Sequence, residues 1–63
     1  MTVKENIPST ALKVSYYYDG FNFTYHVWES RGEWYWLALG NSGSAESQEK
    51  AMALARRWIK DSQ

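Results

Sequence analysis

Cysteine is absent from the 63-residue chain, which excludes disulfides and thiolate metal sites. A single histidine, His26, cannot build a metal centre by itself. Neither sign of charge is in excess, because seven Lys and Arg balance seven Asp and Glu. A domain without a net positive field has no general affinity for nucleic acid or for anionic membrane. No apolar run approaches the roughly 20 residues that a bilayer span requires. Residues 1–10 hold no basic region followed by an apolar stretch, so they do not read as a secretory leader. The expectation is a cytoplasmic protein with no membrane partner, and Asn22-Phe23-Thr24 is then a chance match to the glycosylation pattern.

What the chain has instead is rings: four Trp, five Tyr and two Phe. A chain of this length buries only about 60% of its unfolded surface. Without staples, packing or oligomerisation must stabilise it, and aromatic side chains supply large apolar area per residue.

The polar residues 1–10, with Pro8, read as a flexible arm, followed by a single domain over residues 11–63. Residues 11–18 alternate up to Asp19-Gly20. Asp-Gly between alternating apolar residues is a strong two-residue hairpin signal, since both turn positions take a positive φ. Residues 21–29 form the second strand, Ser30-Arg31-Gly32 a second turn, and residues 33–40 a third strand. "NSGS" (41–44) reads as a loop. From Ser47 the period changes to three and four, placing Ala51, Leu54, Ala55, Trp58 and Ile59 on one helical face. Ser47 or Ser44 is the expected N-cap, with Glu46 and Glu49 at the positive end and Arg56, Arg57 and Lys60 near the negative end. The fold class is therefore α+β: a three-stranded antiparallel meander with one C-terminal helix across one face.

Register sets the faces. A two-residue Asp19-Gly20 turn pairs Tyr18 with Phe21, Tyr16 with Phe23, Val14 with Tyr25 and Leu12 with Val27, all apolar and all on one face. For the second hairpin, a two-residue Arg31-Gly32 turn sets Trp36 opposite Val27. A three-residue loop with a glycine bulge sets Tyr35 opposite Val27 and Leu37 opposite Tyr25. The three-residue loop keeps the core apolar throughout, at the expense of Glu29 facing Glu33, a like-charge pair worth a few tenths of a kcal/mol. It is the preferred reading, with Tyr35, Leu37 and Leu39 in the core.

The open face of the sheet is then expected to present Trp28, Trp34, Trp36 and Tyr17, with His26 and Lys13 as polar neighbours. An aromatic patch of this kind marks an interaction surface, and Trp and Tyr are enriched in binding hot spots. The competing bland reading is that Trp residues simply favour strands and stabilise cross-strand pairs.

No catalytic, cofactor or metal residues are expected. His26 has no thiol partner and no carboxylate beside it to orient a proton transfer. Glu29 and Glu33 read as a solvated hairpin tip. Residues 40–44 precede a helix, where backbone N–H groups attract anions, but the phosphate-loop pattern is missing.

Small residues leading into "SQEKAMALA", with Ser47, Ala51, Leu54 and Ala55 at their spacing, resemble the second half of double-stranded RNA-binding domains. The resemblance implies the strand and helix order. It does not carry the function, because Gln48 and Glu49 stand where that family's helix start has phosphate-gripping lysines, and the family's first helix has no counterpart. The topology is also similar to that of integrase arm-binding and plant AP2-type domains, which read DNA with basic residues on the open sheet; here that sheet offers only Lys13 and Arg31. A neutral chain of this size with no catalytic set is similar in style to small phage-encoded accessory and inhibitor proteins of the anti-CRISPR type. The resulting expectation is a non-enzymatic protein-binding module of the inhibitor type, whose partner is another protein, a second copy included. The alternatives are single-stranded nucleic-acid binding by base stacking on the same rings, and a homodimer through the sheet with function elsewhere.

Overall fold

The computed structural model describes residues 7–63. The part of the expected N-terminal arm over residues 1–6 lies outside them. Just ahead of the first strand, the Ala11 amide donates to the Pro8 carbonyl at 3.0 Å, closing a turn. Four strands follow, β1 (Leu12–Tyr18), β2 (Phe21–Ser30), β3 (Glu33–Ala38) and β4 (Asn41–Ala45), and then one helix, α1 (Gln48–Asp61). The sheet is an antiparallel meander in the order β1-β2-β3-β4. The α+β class and the C-terminal helix agree with the sequence reading, but the sheet has four strands where three were expected.

The extra strand comes from a turn that the sequence disguises. Three successive connections are two-residue turns, Asp19-Gly20, Arg31-Gly32 and Leu39-Gly40, and both residues of each have positive φ. This is the turn geometry whose twist matches that of the flanking strands. Asp19-Gly20 announces itself; Leu39-Gly40 does not, because leucine avoids this region. Leu39 sits at φ 50°, where its Cβ crowds the following carbonyl. Leu39→Asn is therefore expected to raise stability by about 1 kcal/mol, seen as a melting temperature higher by roughly 4–8 °C.

Register along β1 and β2 is as read from the sequence, from Leu12 with Val27 through to Tyr18 with Phe21. Register between β2 and β3 is not. Ser30 pairs with Glu33, Glu29 with Trp34, Trp28 with Tyr35, Val27 with Trp36, His26 with Leu37 and Tyr25 with Ala38. The second turn is thus the two-residue one. It separates Glu29 from Glu33, which the three-residue loop would have set face to face.

The helix lies over β2, β3 and β4. Tyr25, Val27, Trp36, Ala38, Ala51, Ala55 and Ile59 form the buried core, with Val14, Tyr16, Phe23, Trp34, Ala45 and Met52 packed against it. The sheet contributes large side chains and the helix contributes two alanines, so the helix approaches the strands closely. Burial of Tyr25, Val27 and Ile59, each fully enclosed, is worth about 1.5–3 kcal/mol apiece. The helical stripe is narrower than the periodicity suggested: Ala51, Ala55 and Ile59 are buried, whereas Leu54 and Trp58 flank it and stay exposed. Ser47 is the N-cap, its Oγ accepting from the Lys50 amide at 3.2 Å; Ser44 belongs to β4.

The cationic end of the helix is used structurally. Arg56 Nε donates to the buried Tyr25 Oη at 3.2 Å. The Arg56 guanidinium lies 5.9 Å from the centre of the Tyr16 ring, and the Lys60 ammonium 5.9 Å from that of Tyr18. These two side chains carry the helix's reach out over β1, with their aliphatic stems covering rings and their charges left near water. Arg57 points away and lies 3.9 Å from Asp61.

Candidate functional site

Residues paired across antiparallel strands share a face. Since Val27 and Tyr25 are buried under the helix, so are the faces of Trp36 and Ala38 that pair with them. Trp34, paired with Glu29 on β2 and Ala45 on β4, lies on that same side. Two of the three tryptophans expected on the open face are therefore on the helix side. Trp36 is 8% exposed. Its indole rests on Gly43, where an added Cβ would come within 2.8 Å of Nε1. That Nε1 has no hydrogen-bond partner among the described residues.

The physical reason for the error is the composition of β3. "EWYWLA" is apolar at every position after Glu33, so apolar consistency could not choose between registers. The informative signals were the Glu29–Glu33 clash and the glycine two residues into β4, which makes room for one large ring.

The open face instead carries Trp28 and Tyr35, directly paired, with ring centroids 6.0 Å apart and planes 22° apart. Tyr35 Oη donates to Glu33 Oε1 at 3.4 Å. One row further along, Lys13, His26, Leu37 and Ser42 lie side by side across all four strands. Trp28, His26, Tyr35 and Leu37 are half-buried, although neither the helix nor any other described strand lies over them. Tyr35 and Leu37, expected in the core, are thus the residues missed by sequence reasoning. The signal that could have found them was the same register choice.

Tyr17 is the most exposed large hydrophobic residue among the described residues, at 68%. It pairs with Asn22, six residues along β2 from Trp28, so the two stand about 20 Å apart on the face. The structure brings Trp28, His26 and Lys13 together, adds Tyr35 and Leu37, and leaves Tyr17 at the other end.

Concave surface lies elsewhere. One hollow of about 340 Å³ is bordered by Ala45, Glu46, Lys50, Ala53 and Leu54, and another of about 430 Å³ by Gly32, Glu33, Ser44, Ala45 and Glu46. Both sit near the β4 edge and the start of the helix, and both open widely to solvent. Among the described residues, no three His, Cys, Asp or Glu side chains gather as a metal site, and no helix is long and apolar enough to cross a membrane. No family model matches the chain, and neither a curated protein nor a solved structure matches it.

Proposed function

We propose that this chain is a non-enzymatic protein-binding module that uses the open face of its sheet. The observation that carries the reading is the stacked Trp28–Tyr35 pair, continued by Leu37, on the face of the sheet opposite the helix, where no other described strand or helix covers it. Rigid rings bury much area on binding at little cost in side-chain entropy, and such residues dominate measured hot spots. His26 and Lys13 stand beside the rings as polar contacts, and Ser42 and Ser44 form a rim. Tyr17 takes part only with a partner that spans the face or reaches it from another side. A small domain that occupies a partner's surface in this way would act as an inhibitor or accessory factor of that partner, in the style of small phage-encoded proteins.

The test is a pull-down from lysate of the source or its host, with nuclease present, comparing wild type with a Trp28→Ser/Tyr35→Ser double variant whose fold is checked by circular dichroism. The expected result is a protein retained by wild type and lost by the variant, with affinity lower by roughly thirtyfold or more, the loss of a hot spot of about 2 kcal/mol. Equal retention by the folded variant would sink the assignment. Recovery that depends on nucleic acid would replace it with base stacking on the same rings.

A further inference from the structure

The two edges of the sheet are unlike. The β4 edge is five small residues, "NSGSA", beside the start of the helix. The β1 edge is seven residues, "LKVSYYY", paired without interruption to β2 and carrying no proline and no bulge. Among the described residues nothing pairs with its outer side. Proteins ordinarily protect such an edge with charge, proline or a bulge, since unpaired amides template another strand. Here the only charged residue in β1 is Lys13. The apolar row on the helix side of this strand, Leu12, Val14, Tyr16 and Tyr18, is also incompletely covered, with Leu12 47% exposed.

We propose that β1 pairs antiparallel with β1 of a second copy of this chain, about a two-fold axis at Ser15, giving one continuous eight-stranded sheet. The strand dictates the register. Its seven residues centre on Ser15, and this is the one alignment that pairs all of them with themselves: Ser15 with Ser15, Val14 with Tyr16, Lys13 with Tyr17 and Leu12 with Tyr18. Faces are preserved, so apolar residues meet apolar residues on the helix side. The charge pattern fits a second copy as well. Each Lys13 falls opposite a tyrosine ring, not opposite its own mate, and the zero net charge of the chain sets no long-range repulsion between copies.

Hydrogen bonding agrees. The two-residue turn makes Tyr18 and Phe21 a hydrogen-bonded pair, so alternation turns the amides of Leu12, Val14, Tyr16 and Tyr18 toward β2. Those of Lys13, Ser15 and Tyr17 point out of the sheet, and these are the residues that the two-fold register sets against one another. Pairing would also complete the open face. Tyr17 of the second copy would join the row of Lys13, His26 and Leu37, although within one copy Tyr17 stands far from Trp28.

Sedimentation equilibrium at high micromolar concentration tests this. Wild type is expected to be a dimer. Ser15→Pro removes an amide donor that no described residue of the single copy pairs with, and should weaken association by roughly tenfold or more while leaving the circular dichroism spectrum intact. Ser15→Lys and Ser15→Glu should each be more monomeric than wild type, because like charges meet on the axis, and mixing the two should restore the dimer. A wild type that is monomeric throughout overturns the proposal. So does a dimer that Ser15→Pro leaves unchanged, or one that the Lys and Glu variants do not recover on mixing; either would place the interface away from the β1 edge.

Discussion

Trp36→Ala is expected to remove most of the domain's stability. Truncating a buried tryptophan costs about 3–5 kcal/mol. A native domain of this length has in total about 3–9 kcal/mol, at the usual stability per residue. Trp36 sits in the core, against Gly43 on one side and paired with Val27 on the other. The void left by alanine could not close easily, because Gly43 beside it has no side chain and Ala51 and Ala55 of the same core have only methyl groups, too short to fill it. Among the described residues the indole N–H finds no partner, so the expected loss is one of ring packing. Far-ultraviolet circular dichroism and a urea titration would read it directly. A folded Trp36→Ala protein with near-native midpoint would mean that the β2–β3 register described above is wrong. The result also bears on binding work: loss of binding after substitution at Trp36 would report unfolding, whereas the Trp28/Tyr35 pair probes the surface itself.

The parts of this fold that were legible in the sequence are those where local chemistry and hydrophobic pattern agree. Asp19-Gly20 names its turn, and the alternation on either side fixes one register, so every β1–β2 pair could be read in advance. Ser47 as N-cap and the Ala51-Ala55-Ile59 spacing mark the helix equally well. Legibility fails where one of the two signals is silent. In β3 the residues are apolar on both faces, so pattern says nothing and register rests on a turn whose first residue, Arg31, is not a usual occupant of positive φ. At Leu39-Gly40 the turn residue contradicts the turn, and β4 has almost no hydrophobic pattern, so a strand looks like a loop. The candidate site inherited both failures. Trp28, His26 and Lys13 were placed on the open face because they depend on the first hairpin; Trp34 and Trp36 were misplaced because they depend on the second.

Dissecting the helix should show a similar division. Leu54 and Ile59 both fall on the apolar arc expected from periodicity, but the structure treats them differently. Ile59 is fully enclosed, while Leu54 is 39% exposed at the rim of an open hollow. Ile59→Ala is expected to destabilise by about 2–5 kcal/mol, the range for removing a buried branched side chain. Leu54→Ala should cost about 1 kcal/mol or less, as for a surface site. With a urea slope near 1 kcal/mol/M for so small a domain, the first shift is about 2 M or more and the second under about 1 M. The loss at Ile59 should extend beyond its own cavity. Its turn lies between Arg56, which binds Tyr25 Oη and covers Tyr16, and Lys60, which covers Tyr18. If the last turns of the helix lift, those cations leave the β1–β2 hairpin, and Tyr16 and Tyr18 become freely solvated. Tyrosine fluorescence or ring chemical shifts at Tyr16 and Tyr18 should therefore change in Ile59→Ala under conditions where it is still folded, and should stay native in Leu54→Ala. Equal shifts in midpoint for the two variants would show that the helix rests on a broader face than the Ala51-Ala55-Ile59 stripe.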